Sequence, residues 1–255
     1  MPGSVLFYVQ HLLGIGHMRR ALRIVDALAQ ERVRVTLVSG GEPFAELLCE
    51  SAERIVQLPP IKAHDAGFRE LVDADGRPVD EALRNERRAA LLAAFAVAAP
   101  DAVLIEAFPF GRRAFRFELD ALICVARSHR PKPLVLCSLR DIVVAPQDQK
   151  RRREIIAQVR ANFDCVLVHG DPTFIPLDAS FPLASEIADR LVYTGYVGDS
   201  SDGEGEEANG KDEVLVSAGG GAVGRKIGCR RAHFAAGICR FAYSSDTCRE
   251  PRGRV

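Results

Sequence analysis

Short runs of β-branched and other apolar residues alternate with longer amphipathic segments through residues 1–197. The short runs have the composition of buried strands, and the longer segments have helical spacing. Strands that alternate with helices in this way form a parallel sheet, so the sequence predicts an α/β fold. The predicted strands are residues 5–9, 33–38, 54–58, 102–106, 133–138 and 164–169, with one more at 213–217.

The clearest helical periodicity is in residues 17–31. Apolar residues there recur on one face, and charged residues take the other. The same pattern, together with proline and capping signals, predicts four further helices. They cover residues 42–50, 80–99, 113–129 and 147–162.

Residues 198–211, GDSSDGEGEEANGK, mark a domain boundary. The segment is polar, acidic and rich in glycine, so it has nothing to bury and predicts a flexible linker after an N-terminal domain of residues 1–197. Residues 212–224, DEVLVSAGGGAVG, predict a strand and a glycine-rich turn that begin a second domain.

Residues 225–255 break the α/β pattern. They are rich in cysteine and arginine and have neither strand alternation nor an apolar helical stripe, which predicts a disordered basic tail. From residue 218 onward the chain has 8 Lys and Arg against 2 Asp and Glu, although the formal net charge of the whole chain is zero. We expect the second domain to be truncated soon after it begins.

The composition, 47% hydrophobic and 27% charged, is typical of a globular protein. The longest nearly apolar run, residues 89–99, is too short to span a bilayer, and the N-terminus lacks a secretory signal. We expect a cytoplasmic protein without a transmembrane segment, for which peripheral membrane contact stays open. The seven cysteines include no close-spaced pair, which argues against a disulfide framework and a zinc site. The basic run 150–153 lacks interleaved aromatics, which argues against nucleic-acid binding.

Residues 10–17, QHLLGIGH, link the first predicted strand to the first predicted helix. Gly14 and Gly16 would let a backbone approach a phosphate at the helix N-terminus, or they simply form a tight turn. NAD is disfavoured, because Arg19 stands where its fingerprint needs a third glycine or alanine. His17 is a candidate general base, or a residue that caps or orients the turn.

Polar residues also follow later strands, and the ends of parallel strands share one edge of the sheet. Glu106 could orient an acceptor hydroxyl there or pair with Arg112 or Arg113. We expect Glu106 and the residues after the later strands to lie beside the loop 11–17. Two pairs of residues follow the later strands: Arg140 with Asp141, and His169 with Asp171. The alternative for Arg140 and Asp141 is a surface salt bridge, and the alternative for His169 and Asp171 is a helix cap.

Residues 219–226, GGGAVGRK, fall short of a phosphate-binding P-loop. Arg225 stands where the motif requires lysine, and Ile227 follows Lys226, so an NTPase is not expected. A glycine-rich turn after a strand can still bind a diphosphate through its backbone amides.

Taken in order, the blocks HLLGIGHMRRALRIVDAL, EAFPFGRR, LRDI, VHGDP, TGYVG and LVSAGGGAVG resemble the predicted glycosyltransferases related to glycosyltransferase family 28. The best-known relative of that group adds N-acetylglucosamine to a lipid-linked peptidoglycan precursor. The resemblance covers residues 4–224. It implies a GT-B fold: two facing Rossmann-like domains, each a parallel sheet with helices on both faces, with the acceptor on the first domain and the nucleotide-sugar on the second. It also implies metal-independent transfer, usually with inversion, and no cofactor besides the nucleotide-sugar.

The resemblance assigns roles by position. His17 would be the acceptor-side base or a diphosphate contact, and the second glycine-rich loop would neutralise the leaving diphosphate. The candidate catalytic residues are His17 and Glu106, the candidate substrate-binding residues are His11, Gly14, Gly16, Arg140, Asp141, His169 and Asp171, and the candidate diphosphate loop is Ser217, Gly219, Gly220 and Gly221. No metal ligand is expected.

The rest of the donor domain is not recognisable after residue 224, so the resemblance implies a hexosyltransferase fragment that is inactive by itself. Two alternatives stay open. One is a sugar-nucleotide 2-epimerase, which uses the same double-domain architecture. The other is a non-catalytic module that binds an acceptor or a partner.

Limited proteolysis tests the predicted boundary. Because only the segment before residue 198 has amphipathic periodicity, we expect the first cleavage within residues 198–211. First cleavage within residues 80–170, with the linker still intact, would contradict this division of the chain.

Overall fold

A computed structural model describes residues 3–12, 14, 16–43, 50–64 and 70–197. Within them, seven strands form one sheet in the order β3-β2-β1-β6-β7-β8-β9, and every neighbouring pair is parallel. The strands β4 and β5 form a separate antiparallel pair. The bounds are β1 Ser4–Val9, β2 Arg34–Ser39, β3 Arg54–Gln57, β4 Lys62–Ala63, β5 Leu71–Val72, β6 Ala102–Glu106, β7 Leu134–Arg140, β8 Cys165–His169 and β9 Leu191–Tyr193.

The helices are α1 Gly16–Gln30, α2 Glu81–Ala98, α3 Arg116–Ser128 and α4 Gln149–Asn162, with short 3₁₀ segments at Arg113–Phe115, Leu177–Ala179 and Ala184–Arg190. Local signals set their ends. The side chain of Asp80 accepts a hydrogen bond of 2.8 Å from the amide of Leu83 and caps α2. The helix ends at Ala98, because the next residue, Ala99, has a left-handed φ of 39° and is followed by Pro100.

Side-chain alternation along the strands creates two apolar layers. Leu6 and Tyr8 of β1 belong to one layer, while Val5 and Phe7 belong to the other. Helices α2, α3 and α4 pack against the first layer, and α1 packs against the second. The predicted α/β fold, a Rossmann-like parallel sheet with helices on both faces, is therefore confirmed.

Six predicted strands and four predicted helices are found within three residues of their expected ends. Sequence periodicity missed β4, β5 and β9, which contain two or three residues each. Such short strands form through their partners, as Leu191 does by pairing with Val166, and they are too short to show a period.

Several predictions fall on other parts of the chain. The linker 198–211, the strand 213–217, the second glycine-rich turn and the tail 225–255 lie outside the described residues, as does most of the predicted helix 42–50. None of the helices in the described part of the chain combines the length and apolar character needed to cross a membrane.

Candidate active site

The order of the strands creates a crevice between the carboxyl ends of β1 and β6. From β1 the chain proceeds outward to β2 and β3, and it then returns to the other side of β1 to build β6 through β9. In open parallel sheets this point of reversal is where ligands bind. His17, in the first turn of α1, and Glu106, the last residue of β6, both lie at this crevice.

His17 and Glu106 are in direct contact there. The His17 Nδ1 atom lies 2.6 Å from Glu106 Oε1. Two arginines contact the same carboxylate: Arg20 Nη2 lies 2.8 Å from Oε1, and Arg112 Nη2 lies 3.4 Å from Oε2. The Glu106 side chain is 1% exposed and that of His17 is 34% exposed, so a buried carboxylate holds a ring that solvent can reach.

The contact fixes the tautomer of His17. A carboxylate can only accept hydrogen bonds, so Nδ1 of His17 carries the ring proton and donates a hydrogen bond to Glu106. The other ring nitrogen, Nε2, is then the basic one. Within the described residues no hydrogen bond engages Nε2, which leaves it able to accept a proton from a bound hydroxyl.

Glu106 stays ionised at neutral pH although it is buried. Burial acts to raise the pKa of this carboxyl, but the hydrogen bond from His17 and the charges of Arg112 and Arg20 together bring the pKa below its ordinary value. The carboxylate therefore lies against the ring on which positive charge would form.

A tight loop after β6 brings Arg112 back to Glu106. Ala107 and Arg112 have φ values of 61° and 58°, in the left-handed region, and the amide of Gly111 donates to the carbonyl of Ala107 at 2.6 Å. A non-glycine residue in the left-handed region costs about 1 kcal/mol or more of conformational free energy. The Gly111–Ala107 hydrogen bond and the Arg112–Glu106 contact therefore hold a strained backbone beside the site. Arg112 is one of the two partners expected for Glu106.

His11 is held at the same edge but is turned away from solvent. Its side chain is buried, and its Nε2 donates a 3.0 Å hydrogen bond to the carbonyl of Glu42. Burial is the main cause that lowers the pKa of His11, which keeps the ring neutral. A Cβ on Gly41 would collide with the imidazole, so Gly41 is required for this packing.

Gly14 and Gly16 have no such requirement. Both are exposed, and among the described residues a Cβ at either position would meet nothing within 4 Å. Neither has a φ in the left-handed region. Packing within the described part of the chain therefore does not explain why glycine occupies these two positions at the N-terminus of α1.

Arg140 and Asp141 follow β7 on the same edge. Arg140 is exposed, and Asp141 Oδ1 accepts a 2.9 Å hydrogen bond from the amide of Ile142. The loop after β8 approaches so closely that a Cβ on Gly170 would lie 2.5 Å from the Cβ of Asp141. The side chain of Asp141 thus packs closely against Gly170 and bonds within its own loop.

His169 and Asp171 follow β8 and also have structural roles. His169 is buried, with Nε2 2.8 Å from Ser138 Oγ and Nδ1 2.8 Å from Thr194 Oγ1, so it links β7, β8 and the segment after β9. Asp171 Oδ1 accepts hydrogen bonds from the amide and hydroxyl of Thr173, and these lower the pKa of Asp171. Asp171 therefore caps the turn that follows β8, and the helix expected in the capping alternative does not begin there.

The predicted shared edge is confirmed, because β1, β6, β7 and β8 are parallel neighbours. Among the candidates, the structure brings His17 and Glu106 into contact. Asp141, His169 and Asp171 make their described hydrogen bonds within the β7–β9 half of the edge, where Arg140 is the exposed last residue of β7. Ser217, Gly219, Gly220 and Gly221 lie outside the described residues.

Sequence reasoning missed Arg20. It lies three positions after His17 and therefore on the same face of α1, so helical spacing could have identified it. Within the ranges that the structure describes, no group of three or more His, Cys, Asp or Glu residues is placed to hold a metal ion.

No protein-family model matches the chain, and no curated protein sequence matches it. Similar solved structures include CalG4, the calicheamicin glycosyltransferase, with 15% identity and a TM-score of 0.44 over 76% of this chain and 53% of that one. MurG of Acinetobacter baumannii has 16% identity and a TM-score of 0.45 over 79% and 47%. UGT89C1 of Arabidopsis thaliana, complexed with UDP-L-rhamnose, has 12% identity and a TM-score of 0.49 over 78% and 53%. The chain spans about half the length of each.

The buried His169 predicts a pH dependence of stability. Burial lowers its pKa from 6.5 to about 3, so below pH 6.5 the unfolded chain binds a proton that the folded chain does not. Stability is therefore lost as the pH falls from about 6.5 toward 3, with a slope of about 1.4 kcal/mol per pH unit from this group.

Urea unfolding between pH 7.5 and 4.5 measures this slope. We expect His169→Gln to be less stable at pH 7.5, because it loses both hydroxyl contacts, but to lose less stability on acidification. His64→Gln, at an exposed histidine, is the control and should keep the wild-type slope. If the free energy of unfolding has the same pH slope in His169→Gln as in the wild type, His169 takes up its proton as readily in the folded chain as in the unfolded one, and the prediction is wrong.

Proposed function

We propose that residues 1–197 are the acceptor-side domain of a GT-B glycosyltransferase, and that His17 is the base that deprotonates the acceptor hydroxyl. The observation that carries the proposal is the 2.6 Å contact between His17 and the buried Glu106 at the crevice between β1 and β6. The resemblance of the sequence blocks to transferases related to glycosyltransferase family 28 supports the same function.

In the proposed reaction, Nε2 of His17 takes the proton of an acceptor hydroxyl as its oxygen attacks the anomeric carbon of the donor sugar. A carbon–oxygen bond forms to the acceptor, and the bond to the diphosphate breaks, so the diphosphate leaves with that electron pair. Glu106 orients the ring through Nδ1 and faces the positive charge that develops on it. Arg20 and Arg112 hold the carboxylate in place.

Gly14 and Gly16 support a role for the N-terminus of α1 in binding the diphosphate. Their exposed backbone has open space where a side chain would stand, and the positive end of the helix dipole favours an anion. Most contacts to the nucleotide-sugar would come from a donor domain. We propose Ser217 and Gly219 to Gly221 as backbone donors to the leaving group.

The function is tested in a longer protein that carries the same blocks together with a complete donor domain. Replacing the histidine that matches His17 by alanine should lower sugar transfer about 10²- to 10⁴-fold, the contribution of a general base. Glutamine at the position matching Glu106 should also lower transfer, because it removes the negative charge beside the ring. Alanine at the position matching His64, which is exposed, is the control.

Product identification separates the alternatives. A glycosylated acceptor supports the proposal, whereas an epimerised nucleotide-sugar without transfer would identify a 2-epimerase. Full transfer activity in the His17-position variant would exclude histidine as the base.

The 255-residue chain itself should bind UDP and UDP-N-acetylglucosamine weakly and transfer no sugar. One predicted strand and a glycine-rich turn cannot form a nucleotide pocket, because a strand needs neighbours on its edges and its apolar face. Calorimetric titration at physiological and raised salt measures the binding of UDP and UDP-N-acetylglucosamine, and a donor-hydrolysis assay measures turnover. Saturable micromolar binding that survives raised salt, or turnover abolished by His17→Ala, would show that residues 225–255 complete a donor site.

A further inference from the structure

Arg87, in the middle of α2, is fully buried and has all five of its N–H groups bonded. Its Nε donates to Glu118 Oε2 at 2.9 Å, and its Nη2 donates to Glu118 Oε1 at 2.7 Å and to Gln10 Oε1 at 2.9 Å. Its Nη1 donates to the carbonyls of Gly40 at 2.8 Å and Pro59 at 2.5 Å. One guanidinium therefore contacts four separate segments of the chain.

Three of these segments are the carboxyl ends of adjacent strands. Gln10 follows β1 directly, Gly40 follows β2 directly, and Pro59 comes two residues after β3. The side-chain amide of Gln10 extends the connection by donating to the carbonyls of His11 and Ile61 at 2.8 and 3.0 Å. A Cβ on Gly40 would collide with the side chains of Gln10 and Arg87, so the hydrogen bonds of these two side chains require glycine there.

Glu118 of α3 completes the group. Besides its two bonds to Arg87, its Oε1 accepts a 2.5 Å hydrogen bond from the hydroxyl of Tyr8. Burial and the neighbouring carboxylate raise the pKa of Tyr8 well above its usual value, so the hydroxyl keeps its proton and donates. The ring of Phe115 lies 5.5 Å from the Arg87 guanidinium carbon.

Stability alone does not explain a buried ion pair of this kind. The desolvation of two charges opposes their attraction, and well-packed apolar residues in the same place are often as stable or more stable. Apolar side chains cannot, however, form hydrogen bonds to the backbone carbonyls of Gly40 and Pro59 and to the side-chain amide of Gln10. The geometry of Arg87 therefore points to positioning.

We propose that Arg87 is a positioning residue that fixes the carboxyl ends of β1, β2 and β3 relative to one another. It thereby sets the place of His11 and of the loop that leads to His17. Its importance for catalysis rests on the proposed function, but its effect on the edge of the sheet does not.

The test uses the full chain and the double variant R87M/E118L, which removes both charges and leaves neither unpaired. We expect its melting temperature to fall, because the buried carbonyls of Gly40 and Pro59 and the hydroxyl of Tyr8 lose their hydrogen-bond partners. Native-state hydrogen exchange should become about tenfold faster or more at the amides of Gly40 and Ile61, which donate to Val9 and Gly40. The amide of Ala107, which donates to Ser138 at the same edge, should be unaffected.

Nitrogen-15 spectra of the histidine rings give a second readout. In the wild-type chain the hydrogen bond to Glu42 holds His11 with its proton on Nε2. Loss of this preference in R87M/E118L would support positioning, because a purely structural role would not change a ring outside the ion pair. Wild-type exchange at Gly40 and Ile61 together with an unchanged His11 spectrum would overturn the proposal.

Two further variants make the test specific. R87K keeps the charge beside Glu118, so it is expected to fold even if the double variant does not. It provides a single point donor and should leave the Gly40 and Ile61 amides in fast exchange. Exchange at Gly40 and Ile61 as slow in R87K as in the wild type would show that a positive charge at position 87 is sufficient to hold this edge, and it would overturn the proposal.

The matched control is R127M/D164N. It removes another arginine–carboxylate pair, in which Nη1 of Arg127 in α3 donates to Oδ1 and Oδ2 of Asp164, the residue before β8, at 3.2 and 3.0 Å. It should leave the exchange at Gly40 and Ile61 unchanged, and equal loosening in this control would overturn the proposal. Because none of these measurements involves sugar transfer, failure of the proposed function leaves their outcome unaffected.

Discussion

The central strand β1 is the constraint on which the rest of the domain depends. All six of its residues are buried, and both of its edges are hydrogen-bonded to parallel neighbours, β2 and β6. Its register with β6 pairs Tyr8 with Ile105, which puts the next residue, Glu106, level with the end of β1. The helix that follows β1 must start at this same edge. His17 and Glu106, 89 positions apart in sequence, therefore lie at the same edge of the sheet, where they are in contact.

Two carboxylates next to this strand have different environments and different consequences. Glu118 is fully enclosed, and its hydrogen-bond partners are the buried side chains of Arg87 and Tyr8. Glu106 is equally buried but holds a histidine that solvent reaches. Loss of one partner from a buried pair costs about 3–5 kcal/mol, because the other charge is left without compensation. The first pair maintains the shape of the edge, and the second presents a basic nitrogen at it.

The edge of the sheet is also divided into two halves. On the β7–β9 side, His169 is neutral and bonded to hydroxyls on both ring nitrogens, and Asp171 is occupied with the turn that follows β8. On the β1–β6 side, exposed glycines and a partly exposed histidine face the crevice. The partly exposed histidine and the exposed glycines therefore lie at the point where the strand order reverses, which is where ligands bind in open parallel sheets.

Local pattern in the sequence determined the strands of the main sheet, the four long helices and the shared edge of His17 and Glu106, because burial on a strand or helix repeats with a short period. It could also indicate that Arg87 stands in the apolar stripe of α2 between Leu83 and Leu91, but not what bonds it there. Only the tertiary structure decided that Arg87 reaches Gln10, 77 positions away, and that His169 is enclosed as a neutral ring. The physical reason is that hydrogen-bond partners and desolvation depend on which distant segments pack together, and a local period contains no information about that.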